Sequence, residues 1–256
     1  MVSNFSNLRK RGSAILLRGG GLGDFILTLP LLSYIRKQYR KVTLLTKPSY
    51  FCLTPLNKDN FECIELDLGM QSVEEQIEDS DIFTFWKDPA WEVELKKRGA
   101  SRVFTLPSRP HAKPHVIDSM FNLVGASLTT KCFTKAWLED CWQENSMIWI
   151  HPGSGSVTKN IPFSFYQNLA EDWLRKNSQN EATFCFGEAD QAILDSFEPQ
   201  SFVFPKRVHS AHPSTVEEYK NMLTSGIAQF WGNDSGPSHL AANLGIVCYV
   251  VNCSPE

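Results

Sequence analysis

Short apolar runs alternate with amphipathic stretches along the chain, and this alternation predicts βα units built around parallel sheets. Ala14–Arg18 reads as a first strand. A glycine turn follows it, then an apolar helix over Phe25–Gln38. Val42–Thr46, Cys63–Leu66, Ile82–Trp86 and Arg102–Leu106 are the next strand candidates, with a short acidic helix around Ser72–Ile77. The pattern loosens over Thr129–Ser146, which places a domain boundary between an N-terminal domain, 1–140, and a C-terminal domain, 147–256. A second series then begins. Strands are expected at Met147–His151, Ala182–Phe186, Phe202–Phe204, Ile227–Trp231 and Ile246–Val251. Helices are expected at Phe163–Lys176, Thr215–Thr224 (capped by Ser214 or Thr215) and Ser238–Leu244, the last closed by Gly245. The fold class that follows is α/β, two Rossmann-like domains facing across a cleft. In such sheets ligands gather at the carboxyl ends of the strands.

Composition narrows the function. The net charge of −3 carries no basic excess, which argues against a nucleic-acid binder. Anionic ligands must then be held locally, by loops and single basic residues. The seven cysteines are odd in number and scattered, with no C-x-x-C, so they predict neither a disulfide framework nor a zinc site. A reducing, cytoplasmic setting follows. The apolar run after the basic N-terminus is too short for a signal-peptide core. The longest apolar stretch, Phe25–Ile35, contains Pro30 and falls short of the roughly 20 residues of a membrane helix. A soluble protein is expected, with room for peripheral work at a membrane.

Three segments carry candidate chemistry. Gly19-Gly20-Gly21-Leu22-Gly23-Asp24 follows the first strand. It fails as a dinucleotide fingerprint, because Asp24 stands where G-x-G-x-x-G needs its last glycine, and a carboxylate there would repel a pyrophosphate. Asp24 suits proton acceptance or a sugar hydroxyl, or else caps a helix beginning at Phe25; its position alone favours the cap. His151-Pro152-Gly153-Ser154-Gly155-Ser156-Val157-Thr158-Lys159 fails as a P-loop, since Thr158 and Asn160 stand where a glycine and a hydroxyl belong. It leaves a loop of N–H groups and hydroxyls with one lysine, chemistry suited to a diphosphate without a tightly bound metal. Gly232-Asn233-Asp234-Ser235-Gly236-Pro237-Ser238-His239 opens a helix whose N–H groups form an anion site within reach of His239. The histidine pairs His111/His115 and His209/His212 lack a completing ligand, so surface or packing roles are expected. Trp86, Trp91, Trp142 and Trp149 read mainly as core residues, or as stacking platforms for a sugar or base near the cleft.

Taken together, ILLRGGGLGDFILTLPLL (Ile15–Leu32), IHPGSGSVTKNIP (Ile150–Pro162), FGEADQ (Phe186–Gln191) and GNDSGPSHLAANLG (Gly232–Gly245) resemble the heptosyltransferase-type glycosyltransferases, family 9, of GT-B architecture. The match spans the core of both domains and is thin over Tyr50–Cys141, where acceptor specificity would lie. The resemblance implies transfer of a sugar, typically heptose from ADP-heptose, onto lipopolysaccharide core, with inversion, without a required metal and without a cofactor. It implies Asp24 as general base. It implies a donor site of Gly153, Ser154, Lys159, Asp234, Ser235, Gly236 and His239, with Glu188 at the nucleoside. The expected partners are a nucleotide sugar and a glycan or glycolipid acceptor, with contact at the inner membrane face. Two departures stand out. The resemblance implies further helices after the segment that ends at Glu256, so a shortened C-terminal part is expected, and Ile161 replaces an expected aromatic. The alternatives are a degenerate member that binds a nucleotide sugar or a partner without transfer, and a nicotinamide-dependent dehydrogenase, which the failed fingerprint disfavours.

Overall fold

The computed structural model describes residues 11–54, 60–108, 114–126, 138, 145–156 and 159–251. The chain divides into two compact units, Met1–Phe133 and Thr134–Glu256.

The first unit holds strands β1 (Arg11–Arg18), β2 (Tyr39–Thr46), β3 (Phe61–Glu65), β4 (Ser80–Thr84) and β5 (Arg102–Thr105). Its helices are α1 (Leu22–Ile26), α2 (Leu29–Gln38), α3 (Glu74–Ile77), α4 (Pro89–Lys97) and α5 (Val116–Leu123). The strands form one parallel sheet in the order β3-β2-β1-β4-β5, with Leu16 beside Leu44 on one side and Phe83 on the other. Residues 14–18 are all buried, as expected of a strand covered on both faces. Ile15, Leu17, Leu45 and Ile82 pack against Val73, Ile77 and Leu95.

The apolar stretch expected as one helix over Phe25–Gln38 is two. Helix α1 starts three residues earlier, at Leu22, and the chain breaks at Leu27–Thr28 before Pro30, which occupies the first turn of α2. Helix α4, which the apolar periodicity did not signal, is fixed by its ends. Asp88 Oδ1 accepts from the Ala90 and Trp91 N–H groups, Pro89 opens the first turn, and Glu92–Lys96 pair at 2.8 Å.

The second unit holds β6 (Met147–His151), β7 (Glu181–Cys185), β8 (Val208–Ala211), β9 (Gln229–Asn233) and β10 (Cys248–Val251), with α6 (Phe163–Lys176), α7 (Gln191–Asp195), α8 (Val216–Thr224) and α9 (Gly236–Asn243). Its parallel sheet runs β10-β9-β6-β7-β8. Counted from the first strand of each unit, both sheets have the order 3-2-1-4-5 of a doubly wound fold. Ile148, Ile150, Ala182 and Phe184 pack on Tyr166, Ala170 and Leu174 of α6.

The strand expected at Phe202–Phe204 is absent. The chain makes two 3₁₀ turns there, Pro199–Ser201 and Pro205–Arg207, and Phe202 between them is buried against Phe184 and Phe197. The third strand is instead β8, an edge strand in which only Val208 is buried. Thr215 caps α8 by accepting from the Glu218 N–H, and Glu218 accepts in turn from the Ser214 N–H. Helix α9 begins at Gly236 rather than Ser238, and Gly245, at φ +85°, closes it.

Among the described residues no helix is long and apolar enough to cross a membrane. Cys52, Cys63, Cys185 and Cys248 form no disulfide among the described residues. His111, Cys132, Cys141, Trp142, Cys253 and the middle of the expected boundary lie outside the described residues, as do Val157 and Thr158.

Candidate functional site

In each sheet the chain reverses direction of growth beside its first strand, between β1 and β4 and between β6 and β9. Ligand crevices of open α/β sheets form at such switch points. Apart from Glu188, which follows β7, the expected site residues fall in the loops that leave β1, β6 and β9 or in the helix turns these loops open.

At the end of β1, Asp24 caps its helix from the third helical position rather than from the cap position itself. The cap position of α1 is Gly21, and Asp24, three residues on, turns back so that Oδ2 accepts from the Gly21 N–H at 3.2 Å. Gly20 makes the turn possible at φ +93°, where a Cβ would lie 2.8 Å from that carboxylate oxygen. The other oxygen lies 3.4 Å from Nη2 of Arg18, whose side chain is only 7% exposed. Arg18 also donates to the Asp24 carbonyl from Nε and Nη2, at 3.1 and 2.9 Å, and lies 3.9 Å over the Phe85 ring. Burial pulls the Arg18 guanidinium below its ordinary value, and Asp24 opposes that shift. Tyr50 donates to the Gly20 carbonyl at 3.2 Å and stacks on Phe25, while burial and then Asp24 push its phenol upward, which keeps it a donor. Asp24 is thus a partly exposed carboxylate on a rigid turn, backed by a buried cation. Arg18, Tyr50 and Phe85 were not singled out from sequence, because their roles arise from burial around the turn.

In the second unit the loops after β6 and β9 are tied by Asn233, which is fully buried. Its Nδ2 donates to the Pro152 carbonyl at 2.7 Å, and its Oδ1 accepts from the Tyr166 hydroxyl at 2.8 Å. Ser154 Oγ lies 2.7 Å from both the Ser156 carbonyl and Asn160 Oδ1. Gly153 has a reason beyond ligand approach. A Cβ there would lie 1.6 Å from Oδ1 of Asp190, a buried residue of the Glu188–Asp190 turn. Asp190 Oδ2 accepts from the Gly187 N–H at 2.7 Å and lies 3.7 Å from Nε2 of buried His151, whose Nδ1 meets the Cys185 carbonyl at 3.0 Å. Burial lowers the His151 imidazole from its ordinary value, against the pull of Asp190. Glu188, in the same turn, is exposed.

Asp234 collects the charged groups. Lys159 Nζ lies 3.3 Å from its Oδ2 and His239 Nε2 lies 3.4 Å from its Oδ1. Ser235 is the cap residue of α9 and makes no side-chain cap bond. Its hydroxyl faces that of Ser238 at 3.4 Å, and Ser238 donates to the Asn233 carbonyl. Gly232 lets α9 approach the sheet, since a Cβ there would lie 2.9 Å from Ser238 Oγ. The structure therefore brings Lys159, Asp234, Ser235, Gly236 and His239 together at one helix N-terminus. That helix end supplies amide donors and a favourable dipole, and the flanking lysine and imidazole can exchange Asp234 for an incoming anion.

No protein-family model matches the chain, and no curated protein matches it in sequence. Solved structures do match in shape. ADP-heptose lps heptosyltransferase II of E. coli superposes with a TM-score of 0.67 at 16% identity, over 93% of this chain and 84% of that one. A glycosyl transferase family 9 protein of Veillonella parvula DSM 2008 gives 0.66 at 15% identity, over 94% and 80%. The E. coli heptosyltransferase WaaC, solved with ADP-2-deoxy-2-fluoro heptose, gives 0.62 at 13% identity, over 93% and 88%. With its two five-stranded parallel sheets of identical order, the chain has the α/β fold of the heptosyltransferases of glycosyltransferase family 9.

Proposed function

We propose that this protein is an inverting, metal-independent glycosyltransferase that moves a heptose-like sugar from a nucleotide-diphosphate donor such as ADP-heptose to lipopolysaccharide or another cell-envelope glycan, working in the cytoplasm at the inner membrane face. The observation that carries the reading is the convergence of Lys159 and His239 on Asp234 at the N-terminus of α9. Such a site suits a diphosphate, and WaaC, a protein of the same fold, was solved with an ADP-sugar.

In this reading Asp24 takes the proton of the acceptor hydroxyl as its oxygen bonds to the anomeric carbon. The bond from that carbon to the donor phosphate breaks on the opposite face, which inverts the configuration. Negative charge grows on the leaving diphosphate, where Lys159, His239 and the amides of α9 meet it. Ser154 and Gly153 shape the loop, and Glu188 serves the nucleoside.

Calorimetric titration with ADP tests the donor site. Lys159→Ala should weaken ADP binding by roughly tenfold or more, the worth of a charge-assisted hydrogen bond. Unchanged affinity would remove Lys159 from the site. Transfer from ADP-heptose should persist in EDTA, and loss that a divalent cation restores would overturn metal independence. ADP binding without transfer to any acceptor would reduce the protein to a binder.

A further inference from the structure

A cavity of about 290 Å³ opens in the first unit, and Asp24 is not among the described residues that line it. Leu17, Leu66 and Met70 form an apolar floor, and Trp86, Trp91 and Asp88 stand around it. Leu66 abuts the glycine turn, since a Cβ on Gly19 would lie 3.1 Å from Leu66 Cδ2. The volume lies near the lower end of the about 300–1,000 Å³ of ligand pockets, a size for one or two sugar rings rather than a long chain.

Its chemistry is selective. Trp86 and Trp91 stand edge to face, with centroids 6.2 Å apart, and Trp86 is 55% exposed although it is among the most apolar of side chains. That exposure contradicts the core role expected for Trp86 from sequence. An exposed indole beside a cavity offers a flat face to the C–H side of a pyranose, while its rim meets hydroxyls. Among the described residues, Asp88 is the only ionisable one lining the cavity. Both of its cap bonds use Oδ1, at 3.0 and 3.2 Å, so Oδ2 is left to accept from a ligand hydroxyl. An alkyl chain has no use for that carboxylate and would strip its water, and an acidic sugar would be repelled by it.

We infer that this cavity binds the acceptor, and that the acceptor residue seated there is an uncharged sugar, stacked on Trp86 and hydrogen-bonded to Asp88. Its role as an acceptor subsite rests on the transfer reading above; its affinity for neutral sugars does not.

Saturation-transfer NMR on the whole protein tests it, with the methyl glycosides of glucose, galactose, mannose and N-acetylglucosamine as neutral probes and methyl glucuronide as the acidic one. At least one neutral glycoside should bind saturably and more tightly than the glucuronide. Trp86→Ala should weaken that binding about tenfold and Trp86→Phe should restore part of it, in keeping with the worth of one stacking contact. Asp88→Asn keeps the helix cap, should weaken the neutral probe several-fold, and should narrow the gap to the glucuronide. ADP affinity should be unchanged in all three variants. Absence of binding by every neutral probe, binding indifferent to Trp86→Ala, or preference for the glucuronide would each overturn the inference. ADP binding that survives such a result leaves the transfer reading standing, while glycoside binding without ADP binding removes the transfer reading and leaves a sugar site.

Discussion

Asp24 and Gly153 show how differently two residues of one expected site are held. Asp24 accepts from Gly21 and faces Arg18 over a surface that is 35% exposed. Asp24→Asn keeps an acceptor for the Gly21 N–H and leaves Arg18 bonded to the backbone carbonyl. The ion pair it removes is partly solvated and worth about 1 kcal/mol or less. The variant should therefore melt near wild type and bind ADP normally, yet transfer sugar about 10²–10⁴-fold more slowly if Asp24 is the base. Equal transfer rates in variant and wild type would take Asp24 out of the mechanism. Gly153→Ala makes the opposite demand, because the added methyl must displace Asp190 from beneath the loop. It should cost about 1–3 kcal/mol in denaturant unfolding, as overpacking does. A loss within experimental error would mean that the turn at Glu188–Asp190 shifts freely. Asp24 was legible as a carboxylate at a strand end. Its partner Arg18 was not, because a lone arginine in a sequence says nothing about whether it is buried under an aromatic ring.

Strands were the more legible elements, since the central ones are unbroken apolar runs buried on both faces. Errors fell where that signal fails. Phe202–Phe204 is apolar because Phe202 fills the core from a turn, while β8 is polar because it is an edge. Helix α4 depends on its capping residues rather than on an apolar stripe. Asn233 joins three elements that no local pattern connects: it closes β9, holds the loop after β6 and receives the Tyr166 hydroxyl from α6. Asn233→Ala should cost about 1–3 kcal/mol or more, since buried partners lose their bonds, and should weaken ADP binding by loosening the loop that carries Ser154. Denaturant unfolding and calorimetry together check this; full ADP affinity in a destabilised variant would show that the tether stabilises without positioning.

At the scale of the molecule, the alternation of apolar and amphipathic stretches revealed two α/β series, and the sheet orders show that both have the same plan. The buried His151–Asp190 pair makes the stability of the whole chain depend on pH. The folded state disfavours protonated His151, whose ordinary value is 6.5. Below that pH the unfolded chain binds a proton that the folded chain resists, so stability falls as pH falls. Melting temperature should drop between about pH 7 and pH 5, with a shallower slope in His151→Gln, which can still donate to the Cys185 carbonyl. Identical slopes would mean that Asp190 stabilises the imidazolium enough to cancel the burial cost.

The shared strand order also bears on how the chain is made. In each sheet the first strand synthesised is the central one; the second and third add to one side of it, the fourth and fifth to the other. No strand ever has to be wedged between two that are already paired. A nascent chain leaving the ribosome can extend each sheet outward from β1, and later from β6, as the strands emerge, so the first unit is free to fold while the second is still being translated.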